Sequence, residues 1–192
     1  MKKPAVTSVD IHPILAQRWS PRSFDPTATI STEDLTGLLE AARWAPSANN
    51  VQPWRFIIAR RNDENFDKIK GTLVGFNQAW SPNAAAYIVI VANMKNEDET
   101  DRSISLFDAG LATAHLSVEA YHRGYAVHQM AGFDHSALNS TFGLPSSQDA
   151  VVVLAIGKQA PAEALGEGAI FEREVAPRER IALDELIISG IL

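Results

Sequence analysis

The chain contains no cysteine. Disulfides, thiolate metal sites and a cysteine nucleophile are therefore excluded together. Positive charge is also in short supply: 17 Lys and Arg stand against 23 Asp and Glu, for a net charge of −6. A non-specific nucleic-acid partner, which calls for a basic patch, is not expected. Long apolar runs are missing too. The longest uncharged one, Ala84 to Ala92, falls well short of the roughly twenty residues needed to cross a bilayer. No apolar stretch follows Lys2 and Lys3 to make a signal peptide. The expectation is a soluble, cytoplasmic protein with no membrane partner.

Several motifs are absent as well. No G-x-G-x-x-G follows a strand pattern, and Gly166-Glu-Gly168 lacks the third glycine. The P-loop and the G-x-S-x-G elbow do not occur, so a dedicated dinucleotide fold, an NTPase and a serine hydrolase have no support. The five histidines form no ligand set. His115 and His122 would share a helix face but sit two turns apart, roughly 10 Å along the axis. His128 and His135 flank a loop-like stretch. Structural or surface roles are expected for all five, and no metal.

What is present is an ordinary globular composition, 46% hydrophobic over 192 residues, enough for one domain spanning 1–192. Helix and strand patterns alternate without linker or repeat. Short helices are expected over 10–18, 63–72 and 134–141, and a stronger one over 31–45, opened by a Ser31/Asp34 capping pair and stopped by Pro46. Strands are expected at 54–61, 87–92, 125–129 and 150–156. The longest element runs from about Asp98 to Arg123 and is closed by Gly124. It carries two apolar stripes, one through Ile104, Phe107, Leu111, Ala114, Val118 and Tyr121, the other through Ala109, Ala112, Leu116 and Ala120. A helix apolar on two faces calls for burial on two sides, the second of which could be another subunit. The tail from Pro161 shows little pattern beyond the apolar run Leu183 to Ile188.

Two features carry chemistry. In RWSPRSF, Arg18, Ser20 and Arg22 stand at i, i+2 and i+4, so an extended chain points all three one way and Trp19 and Pro21 the other. Arg178 and Arg180 in APRERIAL repeat the i, i+2 spacing. The two pairs either converge on a phosphate, whose oxygens a guanidinium fork matches, or are chance neighbours. The stretch WAPSANNVQPWRF, Trp44 to Phe56, is rich in amides, with Asn49, Asn50 and Gln52 close together. It reads either as a helix stop with Asx turns and two Trp anchors, or as an edge of donors and acceptors for a flat polar ligand.

In combination, RWSPRSFD, ARWAPSANNVQPWRFII, Asn77 before YIVIVA, DAGLATAHLSVEAYHRGY, HQMAGFD, VVVLAIG and the closing PRER resemble the nitroreductase family of FMN-dependent oxidoreductases. The resemblance covers nearly the whole chain in the family's order. It implies an α+β fold of three layers, a central, mostly antiparallel sheet flanked by helices, assembled as a homodimer with FMN at the subunit interface. It also implies reduction of nitroaromatics, quinones or similar electron-poor small molecules, with NADH or NADPH as donor in ping-pong order. Arg18 and Ser20, with Trp19 between them, match positions at the FMN phosphate and ribityl chain, and Arg178 and Arg180 match the closing phosphate contacts. Pro46, Ser47 and Ala48 match a backbone segment along the flavin, with Gln52 in the same loop, and Asn50 a side chain supplied across the interface. Asn77 matches an amide at the pyrimidine edge, and Gln129, Met130, Ala131 and Gly132 the segment passing N5. No catalytic side chain is implied beyond Arg22, an electrostatic stabiliser near N1–C2=O. Where some members have a lysine, this chain has Trp80, which leaves Arg22 as the main positive charge or puts Trp80 on the substrate side. A specialised flavoenzyme on the same scaffold (a reductive dehalogenase or flavin-fragmenting enzyme) and a non-catalytic flavin binder are the alternatives.

Overall fold

Alternate residues of the strand Ala86–Asn93 leave the backbone in opposite directions, and both directions lead into apolar layers. Ala86, Ile88, Ile90 and Ala92 enter one core, and Tyr87, Val89 and Val91 enter the other. A strand buried on both faces reads as a continuous β-branched run, which is why it was legible in the sequence. The structure, a computed structural model, describes residues 1–190.

The elements follow in the order α1 (Pro13–Gln17), α2 (Thr32–Arg43), β1 (Trp54–Arg60), α3 (Glu64–Thr72), α4 (Asn77–Trp80), β2 (Ala86–Asn93), α5 (Ile104–His122), β3 (Ala126–Met130), α6 (His135–Thr141), β4 (Gln148–Gly157) and α7 (Ala169–Val175). The four strands form one sheet in the order β1-β2-β4-β3, antiparallel throughout. One core lies between the sheet and the α2–α5 layer; the other is closed by α3, α4 and α6. These are the three layers expected. A bulge opposite Ile90 and Val91 lets both Val151 and Val152 pack on the α5 side.

The helix ends follow their side chains. Ser31 Oγ accepts the Asp34 N–H at α2 (2.9 Å), and Asp63 Oδ1 accepts the Phe66 N–H at α3 (2.7 Å). Gly124 takes the left-handed conformation (φ 75°) just beyond α5, as its position required. The start of α5 differs from expectation: Asp98 accepts from Thr100 and a bridge joins Lys95 to Asp101, so residues 95–102 fold back as a turn and the helix begins only at Ile104. On α5 the stripe Ala109, Ala112, Leu116, Ala120 is fully buried, whereas Phe107 of the other stripe is 63% exposed. In the apolar run of the tail, Leu183, Leu186 and Ile188 are also exposed. No described helix is long and apolar enough to cross a membrane.

Candidate functional site

The segment from Arg18 to Ser23 is extended and held from two sides. From β3, His128 Nδ1 bonds the Pro21 carbonyl (3.0 Å) and Gln129 Oε1 accepts from Ser20 Oγ (3.1 Å). From α7, the wholly buried Glu174 carboxylate accepts the backbone N–H of Arg22 (2.8 Å) and Ser23 (3.3 Å). These grips set the alternation: Pro21 is buried, while Arg18, Ser20 and Arg22 stay half exposed. Burial, opposed by the Pro21 carbonyl and aided by the Arg22 charge, pushes the His128 imidazole down to about 4. It is therefore neutral at pH 7 and donates through Nδ1. The Trp19 indole lies under Lys3 Nζ (4.4 Å from the ring centroid), in a cavity shared with Gln17 and Tyr121.

Arg18 is drawn down by burial and then by the charge of Arg180, and Arg178 by burial and then by Arg18 and Arg180. Three guanidinium groups from the two ends of the chain thus converge, and none of them is in an ion pair among the described residues. Arg178 also ties the N-terminal segment down, donating from Nη1 to the carbonyls of Lys3 (2.7 Å) and Ala16 (2.8 Å). Arg180 donates from Nη1 to the Glu179 carbonyl at the surface. Arg22 has different charged neighbours from Arg18. Burial lowers its guanidinium pKa, Glu174 raises it and Arg173 lowers it again. Lys3, whose Nζ donates to the Glu174 carbonyl and whose own carbonyl accepts from Arg178, lies between this group and the other arginines.

On the other side, Asn77 Nδ2 donates to the Gly132 carbonyl (3.0 Å), bringing two candidate segments together. A Cβ at Gly132 would lie 2.8 Å from that amide nitrogen, so a side chain there would push the Asn77 amide off the Gly132 carbonyl. Gln129 Nε2 donates to Ser117 Oγ (2.8 Å), Met130 is buried in the core, and Ala131 is exposed beside them. The Pro46–Gln52 loop is anchored differently. The buried Asp108 carboxylate on α5 receives the Ala48 N–H (3.2 and 3.3 Å), and Arg102 Nη2 donates to the Ala48 carbonyl (3.0 Å). Asn49, Asn50 and Gln52 all take positive φ (54°, 56° and 52°). That conformation is costly for most L-residues and least so for Asn, and it explains part of the amide richness without a ligand. Ser47 Oγ accepts the Gln52 N–H, and Gln52 Nε2 is spent on the Asn50 carbonyl. The Asn50 side chain stays exposed.

One of the two alternatives for Trp80 is excluded. Trp80 does not reach a substrate side: it is 1% exposed, stacked near Phe24 (6.0 Å between centroids) and tilted against His128 (4.5 Å) in the core. The apolar walls around α4 outweigh the indole's single polar atom, whose Nε1 has no hydrogen-bond partner. The other histidines are structural or superficial. His12 caps α1, His135 stacks on Phe133 (4.1 Å), and His115 and His122 lie exposed on α5. No group able to hold a metal ion occurs among the described residues.

This frame matches known proteins. The family model of the nitroreductases matches residues 15–78 and 64–158. The chain belongs to the nitroreductase family. It is 30% identical over 188 residues to YdgI of Bacillus subtilis, a protein named provisionally as an NAD(P)H nitroreductase, covering 79% of this chain and 89% of that one. It is 31% identical over 103 residues to the major NAD(P)H-flavin oxidoreductase of Aliivibrio fischeri, 51% of this chain and 47% of the other. Among solved structures, an oxidoreductase containing FMN superposes with a TM-score of 0.89 at 29% identity, covering 97% of this chain and 94% of that one. A nitroreductase family protein from Clostridium novyi gives 0.68 at 25% identity, covering 80% and 87%.

The sequence reading of this nitroreductase family member missed the residues that hold the site rather than line it. Asp108 had a signal: a carboxylate one residue from the buried alanine stripe of α5 requires a partner. Glu174 had none, since it sits among the charged residues Glu172 and Arg173 and only the fold buries it.

Proposed function

We propose that the chain is an FMN-dependent oxidoreductase of one domain, which takes a hydride from NADH or NADPH and passes two electrons to an electron-poor acceptor such as a quinone or nitroaromatic. The observation that carries this reading is that Arg178, from the far end of the chain, bonds the Ala16 carbonyl two residues before Arg18, with Arg180 close behind it. Among the described residues no carboxylate is in ion-pair distance of the three, on a chain of net charge −6. Like charges held together in this way repel one another, and a bound phosphate offsets that repulsion while matching the guanidinium forks. The rest of the site fits the remainder of FMN. Ser20, bonded to Gln129, would meet the ribityl hydroxyls. Asn77 spends Nδ2 on Gly132 and keeps Oδ1 as an acceptor for a ring N–H. The exposed backbone at Ala131–Gly132 offers N–H groups along the ring, and Pro46, Ser47 and Ala48 supply a second edge.

Bound FMN supplies the two-electron chemistry at N5. The protein's part is to hold it, exclude competing contacts and place Arg22 where negative charge develops. No metal or protein nucleophile is required. The exposed stripe of α5, with Phe107 and Ile104 (42% exposed), is the face for a second copy, which would bring its Asn50 to the site as a homodimer. NADH, NADPH and acceptor would use the flavin in turn, the acceptor entering after the nicotinamide leaves. Chromatography of the cofactor released from purified, reconstituted protein, followed by aerobic NAD(P)H oxidation with and without a quinone, tests the reading. Absence of FMN, or no stimulation by any acceptor in a panel of quinones and nitroaromatics, would overturn it.

A further inference from the structure

Arg173, in the last turn of α7, is exposed and has no carboxylate in ion-pair distance among the described residues, although Glu172 and Glu174 flank it. Its guanidinium lies instead over the Phe76 ring, 4.6 Å from the centroid. Phe76 immediately precedes Asn77, whose amide is bonded to Gly132. The next residue on the helix, Glu174, holds the Arg22 and Ser23 backbone. Two consecutive residues of α7 therefore reach the two segments assigned to the same end of the site: one lies over the Phe76–Asn77 turn, and the other grips Arg22.

The charges there do not balance. Arg173 is near enough to Arg22 to oppose its protonation, and the Glu174 carboxylate that offsets them has both oxygens engaged by backbone N–H groups. Trp80 is buried and contributes no charge. The phosphate has its own three arginines. A second anion is what this end of the site lacks, and the reaction produces one. The hydride carries two electrons and one proton from the nicotinamide, which leaves as its oxidised cation, so one net negative charge stays with the flavin ring.

We propose that Arg173 is a second cation for the pyrimidine end of the flavin, acting with Arg22 to favour the reduced, negatively charged form over the oxidised one. The proposal rests on the flavin-binding reading above. A guanidinium suits the task because it stays charged at any working pH and gives up no proton. Its aromatic seat on Phe76 holds it without a carboxylate that would cancel its field.

The test uses reconstituted holoprotein as wild type, Arg173→Gln and Arg173→Lys. Dissociation constants of oxidised and reduced FMN are measured, with the two-electron midpoint potential of the bound flavin against reference dyes. The Gln variant is expected to bind oxidised FMN like wild type and reduced FMN roughly two- to fivefold more weakly, as befits one exposed charge contact. For a two-electron couple that corresponds to a potential about 10–20 mV lower. The Lys variant should recover most of the difference. An unchanged potential overturns the proposal, and so does equal weakening of both forms, which marks a structural or phosphate-binding arginine. If the wild type binds no FMN, the underlying reading fails, and that is seen before any variant is compared.

Discussion

His128 shows how one buried side chain can tie pH to the shape of the site. Its imidazole is pushed down to about 4 by burial, and its Nδ1–H supports the Pro21 carbonyl inside the arginine row. An unfolded chain takes up this proton near pH 6.5, while the folded protein does so only near 4. The stabilisation is therefore fully present above about pH 6.5 and is lost as pH falls toward 4, a loss on the order of 3 kcal/mol. Urea midpoints followed across that range should fall more steeply for wild type than for His128→Asn, whose amide can donate to Pro21 but does not titrate. Equal slopes would remove His128 from the account. Arg180 makes a second, sharper case. It is exposed and bonded only to its neighbour's carbonyl, so Arg180→Ala should leave the fold intact. Loss of a charge-assisted phosphate contact worth about 1.5–3 kcal/mol would weaken FMN roughly ten- to a hundredfold. Riboflavin, which lacks the phosphate, should bind the variant as it binds wild type. Equal losses for both ligands would end the phosphate assignment.

At the scale of elements, α5 does two jobs. Its alanine stripe packs on the sheet, and Asp108, buried on the same side, carries the Ala48 peptide. Arg102, in the turn that precedes the helix, completes the clamp 3.8 Å from that carboxylate. The loop it restrains holds three left-handed residues, so the clamp opposes a local cost that would otherwise let Asn50 drift. Replacing Asp108 with Ala leaves Arg102 without its counter-charge in the interior, and a destabilisation of about 3–5 kcal/mol is expected. Asp108→Asn keeps an oxygen for the Ala48 N–H and should lose clearly less. Chemical denaturation of both variants measures the difference; indistinguishable losses would mean that the carboxylate matters only as filled volume.

For the molecule as a whole, Ile104 and Phe107 at the start of α5 are exposed, and the proposed second copy would cover them. Phe107→Glu tests the second copy. Because Phe107 is 63% exposed, the monomer's own stability should change by no more than about 0.5 kcal/mol. The dimer should dissociate, and FMN affinity should fall with it, since half of each site would leave. Light scattering at low concentration together with FMN titration checks both. A variant that runs as a monomer and binds FMN like wild type would show that the site is complete within one chain.

Local pattern was enough wherever a residue's role depends on its neighbours in the chain. The β-branched run of β2, the Ser31 cap, Gly124 and the alternation around Pro21 were legible because backbone period and capping chemistry act over a few residues. The arginine pairs were visible for the same reason. Their surroundings were not: Arg178 and Arg180 come to Arg18, and Arg173 and Glu174 to Arg22, only once α7 and the tail have folded back on the N-terminal segment. Of the two alternatives left open for the Trp80 position, its burial removes the substrate-side one; register gives a position and not the depth of the layer above it. Asp108 and Glu174 are buried carboxylates whose partners lie 60 and about 150 residues away in the chain. No periodicity encodes such a pairing. The sheet and its two cores decide it, by bringing donors to oxygens that water can no longer reach.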